Sequence, residues 1–139
     1  MHIHKTNTIP SLDLTHNNEK VSFAFRTMED IHERNGNTPD LPHRHEYYTI
    51  LWAKKVCGQH FIDYIEYPIR PNFIFFVNPG QIHQVITYGN PEGYVIMFTP
   101  EFLSQNQISE EFILNLGLFS CSTGTPPLQI NDDDAVKLI

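Results

Sequence analysis

His43 and His45, two positions apart in a 139-residue chain, are the residues whose type and spacing could most readily do chemistry. On an extended strand, residues i and i+2 point to the same side. His43, His45, Tyr47, Thr49 and Leu51 would then share one face, and Tyr48, Ile50 and Trp52 the other. A third histidine, His83, follows the turn Asn78-Pro79-Gly80 at the start of another strand-like run. Three neutral imidazoles can hold a divalent metal with one coordination position left open. They can equally hydrogen-bond a polar ligand, or do no more than satisfy backbone carbonyls at the mouth of a barrel. The other histidines carry less. His2 and His4 form a chance pair in the terminus, His16 and His32 read as surface residues, and His60 lies on a strand with no evident partner.

The elements that must position these residues are mostly short strands. Residues 1–20 are polar and irregular and read as an arm or loose strand. Residues 21–26 alternate, Val21, Phe23 and Phe25 against Ser22, Ala24 and Arg26, as a half-buried strand does. Residues 29–41, with Asn35-Gly36-Asn37 and Pro39-Asp40, carry turn and loop chemistry. Strands are expected at 47–53, 58–64, 73–77, 82–88 and 94–99, with a turn at Asn90-Pro91-Glu92-Gly93. Pro68 and Pro71 confine the stretch between them to an edge or a turn. Such spacing suggests a sandwich or barrel. After Pro100 the pattern turns helical: a turn at 101–105, then a helix through 112–116 capped by Ser109 and ended by Gly117. Asn131 can cap a last helix, which stops in mid-pattern at Ile139 as a truncated piece would.

Bulk properties narrow the function classes. The length is one domain's worth, and 40% hydrophobic and 12% aromatic residues are enough for a core. Nine basic against sixteen acidic residues, a net charge of −7, argue against direct binding of nucleic acid. Cys57 and Cys121 form no metal-type pair and read as reduced, mostly buried thiols. No leader-like apolar core or membrane-length run occurs, so a cytoplasmic protein without membrane contact is expected.

The runs PHRHEYYTILW (42–52), CGQHFIDYIEYPIRPN (57–72), FFVNPGQIHQV (75–85) and GYVIMFTPEFL (93–103) together carry a family resemblance. An HxH pair followed about forty residues later by PGxxH is similar to the skeleton of the cupin superfamily. The step from the last strand into Phe98-Thr99-Pro100-Glu101-Phe102-Leu103, and the turn with Asp63 and Pro68, resemble the N-terminal domain of AraC-type transcription regulators more closely than cupin enzymes. The resemblance implies a mainly β fold: a cupin double-stranded β-helix barrel over 21–100, after an arm at 1–20, then short α-helices at 101–139 for dimerisation, within one domain. It implies a small-molecule effector, such as a sugar or another metabolite, and a homodimer. DNA would be bound only through a C-terminal helix-turn-helix domain that this chain does not contain. The pattern departs from the enzymes in the family. Their glutamate ligand, four or five positions after the second histidine, is replaced by Thr49 or Ile50. Pro79 and Gly80 are adjacent, and Thr87 stands where an asparagine is usual.

The leading expectation is therefore a sensor and not an enzyme, with His43, His45, Tyr47, Thr49 and His83 around the ligand, Phe23 and Phe25 lining it, and neither metal nor cofactor assigned. The alternatives are a stand-alone metal-binding cupin, a dioxygenase or isomerase, and a barrel that serves only as a dimerisation platform. Phe112, Leu116 and Phe119 are candidates for a pairing face, although their spacing is equally that of a core.

Overall fold

The computed structural model describes residues 9–36, 40–119, 124 and 126–138. The readings of His2, His4, Asn37, Pro39, Cys121 and Ile139 lie outside these residues. The chain runs β1 (Ser11–Leu12), β2 (Thr15–His16), β3 (Glu19–Lys20), β4 (Phe23–Thr27), α1 (Met28–Arg34), β5 (His43–His45), β6 (Tyr48–Ile62), β7 (Ile65–Ile69), β8 (Phe73–Val77) and β9 (Ile82–Phe98). Then follow α2 (Pro100–Gln105), α3 (Glu110–Asn115), β10 (Leu128–Gln129) and α4 (Asp132–Lys137). The fold is mainly β with short C-terminal helices. No described helix is long and apolar enough to cross a membrane.

One mixed sheet follows the path β1-β5-β9-β6-β8-β10, with β4 added on β9 and β7 on β6. Among the described residues this path does not return on itself. β1 and β5 are parallel, and the other pairings are antiparallel. The spine is β6 against β9, two strands longer than the four segments expected in their place. Both run through stretches that read as breaks. Register shifts at Ala53/Lys55 and Lys55/Cys57 set Lys55 opposite Glu92 but Cys57 opposite Tyr88. Gly89, Asn90 and Pro91 are the extra residues of that irregularity. A proline there removes no ladder hydrogen bond, which is why the expected turn became a bulge within a strand. Gly89 supplies the positive φ of 76°. Pro68 stands on β7, which among the described strands pairs with β6 alone and so lies at an edge, as the prolines required.

The spine divides the sheet into two halves that share one core. Leu51, Ala53, Val95 and Met97 come from one half and Ile62 and Ile69 from the other, and all bury into the same cluster with Phe75 and Val77. Alternate residues of the first half, Tyr48, Trp52, Ile74, Phe76 and Phe98, face the opposite way and are covered by Leu103, Ile113, Phe119 and Ala135 of the C-terminal segment. Period-two alternation thus makes two cores, one inside the curled sheet and one beneath the helices. Phe119 belongs to the second core, whereas Phe112 and Leu116 are exposed.

The caps are local and follow from side-chain chemistry. Thr99, Ser109 and Asn131 accept the backbone N–H groups of Phe102, Phe112 and Asp134 and start α2, α3 and α4. Gly117, at φ 74°, follows α3. Two expectations fail. The segment read as loop after Thr27 contains α1: Thr27 accepts from Asp30 N at 3.0 Å, and Glu29 and Asp30 lie in the first turn. Cys57 is exposed rather than buried, because it alternates with the inward-facing Val56 and Gly58.

Candidate functional site

His43 and His45 lie on β5 and His83 on β9, and the antiparallel register sets His43 directly opposite His83. The three rings converge. Their centroids are 4.6 Å apart for His43–His45, 4.5 Å for His43–His83 and 4.5 Å for His45–His83. One ring nitrogen from each lies within 4.8 Å of the other two. The Tyr47 ring stacks on His45 at 4.3 Å, and Thr49 Oγ1 lies 3.2 Å from His45 Nδ1. Five of the seven residues expected at the site are therefore together on the inner face. His45, His83, Tyr47 and Thr49 are buried, and only 12% of the His43 side chain is exposed.

The other two are not. Phe23 pairs with Phe98 and Phe25 with Ile96, and both of those strand positions belong to the face beneath the helices. Phe23 packs on Phe102 and Phe25 stacks on Tyr94, at 46% and 56% exposure. It is Ala24 that turns to the inner core. The alternation of this strand is as expected, but its orientation is reversed. An apolar pair on an exposed face is tolerated because helix α2 partly shelters it.

Two groups behind the trio went unrecognised in the sequence. His60 is fully buried, and its Nε2 lies 3.0 Å from His83 Nδ1. Its place inside was implicit in the period-two relation to Ile62, but the register that brings it beside His83 links strands more than twenty residues apart. Asp40 accepts the Val85 backbone N–H at 2.7 Å and stands 3.7 Å from His43 Nδ1. Its neighbour Pro39 signals a turn and gives no hint of that contact.

Burial sets the electrostatics. His45 and His60 are held at about 3, mainly because desolvation disfavours the imidazolium and secondly because nearby rings repel a charge. His83 is also held well below the ordinary value, by burial first and then by His45, His60 and His43. The Tyr47 hydroxyl is pushed up to about 12 by burial, against the pull of Arg26. Burial also raises Asp40, against the opposing hydrogen bond from Val85 and the pull of His43. Near neutral pH His45, His60 and His83 are thus neutral imidazoles and Tyr47 a neutral phenol, the protonation states that a metal ion or a hydrogen-bonding ligand requires.

The outer partners orient the rings. His43 Nδ1 donates to the Leu41 carbonyl at 2.6 Å, which leaves its Nε2 bare. His45 Nδ1 meets the Thr49 hydroxyl, and His83 Nδ1 meets His60. Metal-binding histidines are held in this way, with the second ring nitrogen engaged by an outer group. The donor set, one ring nitrogen from each histidine, fits a borderline divalent ion such as zinc, but it offers no carboxylate for a hard, oxygen-preferring ion. No protein-family model matches the chain, and no curated protein resembles it in sequence at a significant level.

Proposed function

We propose that this chain is the sensor domain of an AraC-type transcription regulator, that its curled sheet is a cupin barrel, and that a small-molecule effector is received at His43, His45, Tyr47, Thr49 and His83. The observation that carries the reading is the convergence of these five residues, from residues 43–49 and from His83, onto one largely buried patch. A few convergent polar groups in an apolar cavity are what a ligand site needs. The sequence resemblance supplies the regulator.

The rings now rest against one another, so admitting a molecule must part them. That movement is the coupling a sensor requires, because an effector shifts an equilibrium only by its differential affinity for the two states. β5 is bonded to β1, with Arg44 N to the Pro10 carbonyl at 2.9 Å and Glu46 N to the Leu12 carbonyl at 2.8 Å. Displacing β5 therefore moves the N-terminal arm. On the other face, Tyr48 at the start of β6 donates to Glu110 of α3 at 3.1 Å, which gives the helices a path to the strand that carries Thr49. The helices would pair two copies, and a C-terminal domain beyond them would bind DNA. The test is thermal unfolding against a metabolite panel. A ligand specific to the folded state raises the midpoint, and His45→Ala removes that rise while keeping the fold. A rise that survives His45→Ala places the effector elsewhere.

One observation favours a second reading, a metal-binding cupin with catalytic activity. The three histidine nitrogens lie within 4.8 Å of one another, and each ring has an outer partner. A bound ion would act as a Lewis acid. Zinc titration distinguishes the readings: stoichiometric binding lost in His83→Ala supports a metal centre, and absence of binding removes it.

A further inference from the structure

Of the three outer partners, the Leu41 carbonyl alone has a fixed role. The Leu41 carbonyl can only accept, so His43 carries its proton on Nδ1. The Thr49 hydroxyl can accept from His45 Nδ1 or donate to it, and His83 Nε2 also lies 3.3 Å from that nitrogen. The partner of His83 is another imidazole, able either to give or to take a proton. His60 is 0% exposed and packs edge-on against Phe75, and its Nδ1 has no hydrogen-bond partner among the described residues.

Two arrangements satisfy the 3.0 Å contact between His60 Nε2 and His83 Nδ1. In the first, His60 donates. His83 then carries its proton on Nε2 and points it at His45, whose Nδ1 is 3.3 Å and Nε2 3.4 Å away. Within the His60–His83 pair the unmet group is a lone pair on His60 Nδ1. In the second, His83 donates to His60. His83 Nε2 is then bare toward His45, and an N–H is left unpaired at His60 Nδ1. Without a cation the second arrangement buries an unmet N–H donor at His60, which is costlier than an unmet ring lone pair, so the first prevails. A divalent cation on the trio, held by His83 through Nε2, reverses the balance, because a ligating nitrogen cannot carry a proton.

We propose that His60 is a positioning residue whose tautomer is tied to occupancy of the histidine trio: its proton sits on Nε2 when the trio is empty and on Nδ1 when the trio holds a divalent cation. The proton of His83 moves from Nε2 to Nδ1 in the same exchange. Each ring keeps one proton, so the exchange changes no charge and releases no proton from either ring. The proposal rests on the metal-binding reading of the trio and extends it to a residue that touches no ligand.

The experiment is a long-range 1H–15N spectrum of the intact chain with labelled histidine, recorded before and after zinc addition, with zinc binding to His45→Ala measured alongside. The expected result is one tautomer of His60 without zinc and the opposite one with it. Zinc that binds through His45 while His60 keeps its tautomer overturns the proposal and leaves the metal reading standing. A wild-type chain that takes no zinc overturns both. Two variants extend the test. His60→Phe removes the outer partner and should weaken zinc binding by roughly 10- to 100-fold. His60→Gln, whose amide oxygen can accept from His83 without a second ring donor, should restore it. Equal zinc affinity in wild type and a folded His60→Phe, judged by circular dichroism, overturns the role of His60.

Discussion

His43 and His83 stand directly opposite one another in the antiparallel register of β5 and β9. That pairing joins two sequence motifs about forty residues apart, and it fixes the site more firmly than any single side chain does. His45 and Tyr47 then fall beside the pair through the local path of the chain, and His60 falls behind it from the adjacent strand.

Stability should fall with acidification. His45 and His60 titrate at about 3 in the folded chain and His83 well below its ordinary value, against 6.5 for an unperturbed imidazole. Below pH 6.5 the unfolded chain therefore binds more protons than the folded one, and stability drops as pH falls through the window down to about 3. Each such group contributes up to about 1.4 kcal/mol per pH unit inside the window. Urea midpoints at pH 7, 6 and 5 should decline in order. A flat profile would mean that the histidines are not held neutral by burial.

Gly58 should tolerate no side chain. A Cβ there would lie 2.0 Å from the Ile86 carbonyl oxygen, which is ladder backbone and cannot swing aside. Gly93 is similar, 2.2 Å from the Trp52 carbonyl. Gly58→Ala and Gly93→Ala should each destabilise by about 1–3 kcal/mol or more, read from denaturant midpoints. Gly36→Ala meets no atom within 4 Å and loses only the freedom of its positive φ. It should cost less, and equal losses in all three would contradict the packing described.

The two faces of β4 should separate in their effects. Phe25→Ala removes a half-exposed ring stacked on Tyr94 and should leave ligand or zinc binding at the trio unchanged. Phe75→Ala empties a fully buried position on the inner face and should cost about 3–5 kcal/mol. Isothermal titration and urea unfolding of both variants check this. Loss of binding in a folded Phe25→Ala would return that ring to the site.

Much of this was legible in the sequence because it is local. The caps at Ser109 and Asn131, the inward set His45, Tyr47, Thr49 and Leu51, and the confinement of Pro68 to an edge all follow from side-chain chemistry or period two. What was not legible depends on pairing between distant segments. Alternation at Phe23 and Phe25 gave two faces but not which one turns inward, since that is set by the register with Ile96 and Phe98. The stretch 89–91 looked like a turn because its residues are turn formers, and a bulge in a long strand uses the same residues. His60 had no visible partner because its partner lies on another strand. The helix α1 was hidden by the Asn-Gly pair that ends it, although Thr27 and Asp30 stood in capping positions.

The most direct test of the central claim, that His43, His45 and His83 form one binding site, is the thermal unfolding midpoint of wild type, His45→Ala and His83→Ala against zinc and a metabolite panel. The expected result is a concentration-dependent rise in wild type for at least one of these guests, absent from both variants while their unliganded chains remain folded. A rise of equal size in either folded variant, or none in wild type for any guest, would contradict it.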